Sequence, residues 1–171
     1  TAKPGEKIKA GTTLFYDKVQ PEVKFASPVS GVVKSVNRGE RRRILEVVVE
    51  AEGEIQYEDF KAADPESLSR EDIISKRQDA GLWPAIRQRP YSVIARTGKT
   101  PRDIFISGFD SAPLAPDMDF VVKEYVAEFQ TGINALKKLT TGKIHLSLNA
   151  LYPPAETFTA AKGVELHYFK G

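Results

Sequence analysis

The chain contains two histidines, His145 and His167, and histidine is the side chain best suited to bind a metal ion or transfer a proton near neutral pH. A metal site needs two or three neighbouring ligands. Both histidines lie in segments that favour β-strands, so we expect each to be a packed or rim side chain of its own strand. The absence of cysteine excludes thiolate zinc sites, iron–sulfur clusters and thiol nucleophiles. We therefore predict no metal site in this chain.

The glycine patterns of nucleotide-binding loops are incomplete in this sequence. Gly98, Lys99 and Thr100 resemble the end of a P-loop, but Val93 stands where the upstream glycine belongs and Pro101 follows at once. The segment 107–114 holds one glycine where a dinucleotide-binding loop has three, and Pro113 and the nearby Pro116 lack an amide donor. The serine pattern G-x-S-x-G is absent as well. We predict neither a catalytic nor a cofactor-binding residue.

Composition restricts the class of protein. The 171 residues contain 25 basic and 23 acidic side chains, so no global field points to nucleic acid as a partner. The longest purely apolar runs have a few residues, far fewer than the roughly 20 needed to cross a bilayer. The chain begins and ends as if cut from within longer domains, and we expect residues to be missing before Thr1 and after Gly171.

Three stretches differ in pattern. Residues 1–60 hold short β-branched strands separated by glycine and proline turns, which is typical of a compact β module. Residues 61–102 form a connecting segment with nine basic and five acidic side chains. Its short helix is predicted to begin after Ser69 and to end at Gly81. Residues 103–171 alternate strands and helices, with a long helix predicted over 118–139.

The strand–helix–strand order of the third stretch predicts parallel strands at 103–107 and 143–148, with a less clear third strand at 164–169. The expected fold is therefore of mixed α+β class. A β barrel-sandwich hybrid module comes first, and a parallel, Rossmann-like α/β domain that is incomplete at its C-terminus follows.

The first stretch resembles biotinyl and lipoyl carrier domains, on the strength of PGEKIKAGTTL at residues 4–14 and FASPVSGVV at residues 25–33. In such carriers the modified lysine lies in a tight hairpin before a Pro-x-x-Gly turn. Lys18 would occupy that place here, but its spacing from Pro28 is longer than in the carriers. A stand-alone carrier modified at Lys18 remains an alternative.

Longer motifs carry a more specific resemblance. These are GLWPAIRQRPYS at residues 81–92, PRDIF at 101–105 and FDSAPLAPD at 109–117. In this order they resemble the A subunits of bacterial sodium-translocating NADH:quinone oxidoreductases, and the resemblance covers nearly the whole chain. It implies a non-catalytic, cofactor-free component of a complex that uses NADH, flavins, iron–sulfur centres and quinone. It also implies a peripheral position on the cytoplasmic side of the bacterial inner membrane, with the other subunits as partners.

The same resemblance implies a distant relationship to the flavin- and NADH-binding subunit of respiratory complex I. Bulky residues and prolines at 83–90 stand in place of that subunit's glycine-rich loop, so the backbone could not approach a flavin phosphate. A cryptic nucleotide-binding module remains a second alternative. The predicted partner- or quinone-facing residues are Trp83, Arg87, Arg89, Phe109, Asp110 and Leu114.

Overall fold

The computed structural model of the protein describes residues 1–170, which divide into two units. The first unit contains residues 1–62 and 74–97, and the second contains residues 63–73 together with the chain from Gly98 onward. The segment 61–102, predicted as a separate connection, is thus shared between the units. Packing causes this division: Trp83 is buried in the first unit, whereas Arg70 donates a hydrogen bond to the Lys99 carbonyl within the second.

The first unit is built from short antiparallel strands around a small apolar core. Its strands are β1 Lys7–Ile8, β2 Thr13–Tyr16, β3 Lys24–Ala26, β4 Gly31–Arg38 and β5 Ile44–Ala51. One sheet has the order β1-β4-β5, and β2 pairs with β3 as a hairpin. Ile8, Leu14 and Val33 are buried together, and Val36 of β4 and Val47 and Val49 of β5 pack against them.

Helix α1, Arg70–Asp79, begins in the second unit and ends in the first. Ser69 caps it as predicted, because its hydroxyl accepts a hydrogen bond from the Asp72 amide at 3.1 Å. Gly81 ends it with φ +68°, and the Leu82 amide donates to the Arg77 carbonyl at 2.8 Å. A hairpin of β6 Arg87–Gln88 and β7 Val93–Ile94 follows.

The second unit is built on a three-stranded parallel sheet in the order β10-β9-β8. Its elements are β8 Ile104–Ser107, α2 Met118–Val122, α3 Val126–Lys137, β9 Ile144–Asn149, α4 Glu156–Thr159 and β10 Glu165–Phe169. The predicted parallel arrangement, including the third strand, is confirmed. Leu146, Leu148 and Phe158 form the buried core with apolar side chains of α2 and α3.

The helix predicted over 118–139 is interrupted, and in this respect the prediction was wrong. Tyr125 has φ −113° and ψ 40°, outside the helical region, and α2 and α3 lie on either side of it. The buried hydroxyl of Thr157 donates to the carbonyls of Val122 and Lys123 at 3.1 and 3.4 Å. The Val122 carbonyl also accepts a hydrogen bond from the Tyr125 amide at 2.9 Å, so the end of α2 is held partly by its own turn and partly by the Thr157 hydroxyl of α4. The apolar 3–4 spacing continues across the break, which is why the sequence favoured one helix.

Candidate functional site

Trp83 is an internal anchor of the first unit. It begins a short 3-10 turn, Trp83–Ala85, and only 4% of its surface is exposed. Its indole N–H donates to the carbonyl oxygen of Ala95 at 2.8 Å. An aromatic ring that is both buried and hydrogen-bonded has its polar atom satisfied inside the fold. A partner of this region would therefore meet residues around Trp83 rather than Trp83 itself.

Arg87 and Arg89 are exposed, as a docking role requires. Arg87 lies in β6, and Arg89 begins the turn that leads to β7 through a cis peptide bond to Pro90. Tyr91 projects from the same turn with 86% of its surface exposed. We call Arg87, Arg89 and Tyr91 the hairpin patch.

The other three predicted residues lie in the loop that follows β8, at the carboxyl end of a parallel strand. Phe109 is half-buried, and its carbonyl accepts a hydrogen bond from the Ser107 hydroxyl at 2.7 Å. Asp110 is exposed, and its carboxylate accepts a hydrogen bond from the Ala112 amide at 2.9 Å. Leu114 is fully exposed with φ +62°. We call Phe109, Asp110 and Leu114 the loop patch.

Leu114 combines two unfavourable features. A leucine in left-handed backbone costs about 1–2 kcal/mol relative to ordinary geometry. Its side chain also buries nothing against its own unit. The surrounding loop is ordered by local hydrogen bonds, including one from the Ala115 amide to the Ala112 carbonyl at 3.1 Å. The Leu114 side chain is therefore accessible to a partner on a loop that is already ordered.

The amides that would cradle a phosphate in this loop are used internally. The Gly108 amide donates to the Ser147 carbonyl at 2.8 Å, and Ala112 is held by Asp110. A Cβ atom at Gly108 would lie 2.8 Å from the Leu148 Cδ2 atom. Glycine at 108 therefore permits close packing against β9, and its amide is not directed towards a ligand.

The two histidines, predicted as separate packed or rim side chains, lie next to each other. The register of β9 and β10 sets Glu165 opposite His145 and His167 opposite Ser147, all on one face of the sheet. The His145 Nδ1 and His167 Nε2 atoms are 2.9 Å apart. The His145 Nδ1 atom is also 3.4 Å from the Glu165 Oε2 atom. Phe105, opposite His145 on β8, stacks on its ring at 4.7 Å.

Charged groups surround this pair. The Lys143 ammonium donates to the Glu165 Oε1 atom, and this hydrogen bond lowers the pKa of Glu165 and raises that of Lys143. Asp103 faces the other side of the His145 ring, with its Oδ1 atom 3.9 Å from Nε2. A hydrogen bond from the Lys143 backbone amide, followed by one from the Arg102 side chain, lowers the pKa of Asp103. Both carboxylates therefore keep their negative charge to a lower pH than an ordinary carboxylate does.

Sequence reasoning missed this cluster because it depends on the pairing of β9 with β10. The usable signal was the alternation itself: His145 and His167 occupy the polar positions of two strands predicted to be parallel neighbours. Turning the apolar positions 146 and 148 of the first strand and 164 and 166 of the second towards one core would have brought the two rings together on the opposite face. No helix among residues 1–170 is long and apolar enough to cross a membrane.

Models of known protein families match both units. The model of the family described as "NqrA second alpha/beta domain" matches residues 68–171. The model described as "NqrA N-terminal barrel-sandwich hybrid domain" matches residues 1–52, which confirms the predicted module. Both matches agree with the predicted order of a barrel-sandwich module followed by an α/β domain.

Several curated relatives are named as the A subunits of Na(+)-translocating NADH-quinone reductases. The protein from Saccharophagus degradans is 38% identical over 171 residues, which is 98% of this chain and 37% of the relative. That from Serratia proteamaculans is 40% identical over 146 residues, 83% of this chain and 32% of the relative. That from Hahella chejuensis is 39% identical over 150 residues, 86% and 34% respectively. The chain thus spans about a third of the length of these relatives.

Proposed function

We propose, since this chain belongs to the NqrA family, that it forms part of the A subunit of a Na(+)-translocating NADH-quinone reductase and serves there as a non-catalytic docking module. Its partners are the other subunits of the complex, and electrons pass through those subunits from NADH to quinone. Its position is peripheral, on the cytoplasmic side of the membrane. The observation that carries the docking role is Leu114, a fully exposed leucine held in left-handed backbone on an ordered loop.

The loop patch supports docking for three physical reasons. It lies at the carboxyl end of β8, where parallel sheets place their contact surfaces. Pro113 and Pro116 stiffen the loop, and this lowers the entropy lost on association. Burying the Leu114 side chain against a partner would recover roughly 1.5–3 kcal/mol of hydrophobic free energy, which is enough to offset its backbone strain.

The hairpin patch supports a second contact of different character. Arg87 and Arg89 are exposed, and they belong to a segment with a positive balance of charge. Arginine beside an exposed tyrosine suits an acidic protein surface or anionic headgroups, with an attraction that salt screens. A face of this kind would also suit the quinone side of the complex, where the protein meets the membrane.

The variant Leu114→Asn separates docking from stability. Asparagine tolerates positive φ better than leucine, so we expect the isolated chain to keep or gain up to about 1 kcal/mol of stability. In the complex, loss of the apolar contact should weaken retention of the variant about tenfold, equivalent to about 1.4 kcal/mol. Retention is measured by quantifying subunits after purification through a different, tagged subunit.

Val19→Asn is the matched control, because Val19 is also an exposed hydrophobic residue, at 88%, but lies in the first unit. It should leave retention in the complex unchanged. A Leu114→Asn variant that is retained like the unaltered protein, with undiminished quinone reductase activity, would show that the loop patch does not dock. Charge reversal at Arg87 and Arg89 tests the hairpin patch in the same assay.

A carrier function for the first unit has one observation in its favour. Lys18 is exposed in the turn between β2 and β3, the position at which carrier domains present their modified lysine. The turn is fixed by Asp17, whose carboxylate accepts hydrogen bonds from the amides of Val19 and Gln20. Intact-mass spectrometry of protein from its native host decides between the two functions. The docking proposal requires an unmodified mass, and a lipoyl or biotinyl increment on Lys18 would replace it with the carrier function.

A further inference from the structure

We propose that His145, His167 and Glu165 bind a divalent transition-metal ion of the zinc type on the second unit. The three side chains each offer one ligand atom, and these atoms all lie within 4.8 Å of one another. Two imidazole nitrogens and one carboxylate oxygen form a donor set that zinc uses in proteins, with a fourth position left to water. The two nitrogen donors favour such an ion over calcium or magnesium.

The distances suit one shared ion. Tetrahedral zinc with bonds of about 2.0–2.1 Å places neighbouring donor atoms about 3.3 Å apart. The His145 Nδ1 atom is 3.4 Å from Glu165 Oε2 and 2.9 Å from His167 Nε2. Entry of the ion would widen the contact between the rings by a few tenths of an ångström. Glu165 is free to adjust, because 44% of its side chain is exposed.

The backbone prepares this arrangement. His145 and Glu165 are direct register partners on β9 and β10, and His167 follows on the same face of β10. The opposite face of β9 carries the buried core residues Leu146 and Leu148. A shift in register by one residue would turn the histidine side chains towards the core and expose the core leucines. The core thus fixes which side chains meet.

The surroundings of His145 match those of a metal ligand. Its Nε2 atom faces the Asp103 carboxylate at 3.9 Å, while Nδ1 faces His167 and Glu165. Metal-bound histidines commonly direct their second nitrogen at a carboxylate, which fixes the tautomer and strengthens the ligand. Phe105 stacks on the ring and holds its plane.

The positive charge of Lys143 repels a cation bound at the proposed site, and this repulsion provides a test. Its ammonium is hydrogen-bonded to the Glu165 Oε1 atom, so its positive charge lies close to the proposed site. The other oxygen, Oε2, faces His145. Removing the charge with Lys143→Gln should therefore raise zinc affinity, because the Glu165 carboxylate would no longer be paired with a competing cation.

Calorimetric titration of ZnCl2 into the chelator-treated full chain tests the site. We expect one equivalent to bind and the melting temperature to rise with zinc concentration. His167→Gln removes a proposed metal ligand, so it should weaken zinc binding by more than the roughly 10–100-fold that follows from losing a group hydrogen-bonded to a ligand. The glutamine amide would still reach His145. Lys143→Gln should bind zinc more tightly than the unaltered chain. Absence of saturable binding, or binding that His167→Gln leaves unchanged, would overturn the proposal.

Nitrogen-15 NMR of the imidazoles in the unaltered chain gives an answer that does not depend on a variant folding. The chain has two histidines, so only two imidazole spin systems have to be assigned. Zinc should shift Nδ1 of His145 and Nε2 of His167. Shifts at the opposite nitrogens, or none at all, would exclude the proposed coordination.

Discussion

The indole N–H of Trp83 donates to the carbonyl oxygen of Ala95 at 2.8 Å, and this hydrogen bond ties the 3-10 turn after α1 to the strand that leaves the β6–β7 hairpin. The turn and the hairpin carry the motif GLWPAIRQRPYS at residues 81–92. Trp83 is the one residue of that motif that is buried in the first unit, and most of the others, including Arg87, Arg89 and Tyr91, reach solvent.

Trp83→Phe should destabilise the first unit by roughly 2–3 kcal/mol. The variant leaves the Ala95 carbonyl without its donor, which costs about 1–3 kcal/mol, and it also opens space in the core. Urea unfolding followed by far-ultraviolet circular dichroism measures the change. Tyr91→Phe is the control, since Tyr91 is 86% exposed and the change should stay within about 0.5 kcal/mol. A stable Trp83→Phe chain that fails to assemble would instead make Trp83 a partner contact.

Gly31→Ala should be among the most damaging single changes in the first unit. Gly31 has φ +153°, and a Cβ atom there would lie 2.0 Å from the backbone oxygen of Glu50 on the paired strand β5. Backbone cannot give way as a flexible side chain can, so we expect a loss on the order of 4 kcal/mol. Gly53→Ala, whose Cβ would meet nothing within 4 Å, should be nearly neutral by comparison. Equal stabilities for the two variants would contradict the tight β4–β5 approach.

Lys143→Gln should flatten the acid dependence of stability in the second unit. The lysine lowers the pKa of Glu165 in the folded chain, so the pair stabilises the fold above the unfolded pKa of about 4.3. That stability is lost as the pH falls through the lower folded value. The effect is small and sensitive to salt, because both groups are exposed.

Thermal melts from pH 3 through neutral to about pH 11, in low and high salt, measure this difference. The contribution of Asp103 should persist in the variant, because its main partner is the backbone amide of residue 143. The alkaline side should change too: the raised pKa of Lys143 gives stability that is lost as the pH rises above about 10.4. An unchanged slope on both sides would show that the ion pair does not form in solution.

The chain should bind neither NADH nor FMN. The Gly108 amide is bonded to Ser147 and the Ala112 amide to Asp110, so a pyrophosphate would have to break hydrogen bonds that hold the loop. Calorimetric titration at micromolar nucleotide, and absorbance after gel filtration with FMN, measure binding. Saturable binding of either compound would favour the alternative of a cryptic nucleotide-binding module.

The sequence by itself determined the broad architecture. Short runs of β-branched residues predicted β4 and β5, and the strand–helix–strand order predicted the parallel pairing of β8 with β9. The caps at Ser69 and Gly81 were also readable, because each depends on hydrogen bonds within a few residues. Local preferences and periodicity suffice for such features.

The tertiary structure decided the features that depend on distant partners. The break at Tyr125 is stabilised by Thr157 from another helix, and the sequence between 118 and 139 carries no proline or other local signal for it. The assignment of residues 61–102 to two units followed from packing rather than from charge or turn composition. The meeting of His145 with His167 followed from the register of β9 and β10, which the buried leucines on the opposite face select. A side chain's chemistry is written in the sequence, but its neighbours across a sheet are set by which face the core must bury.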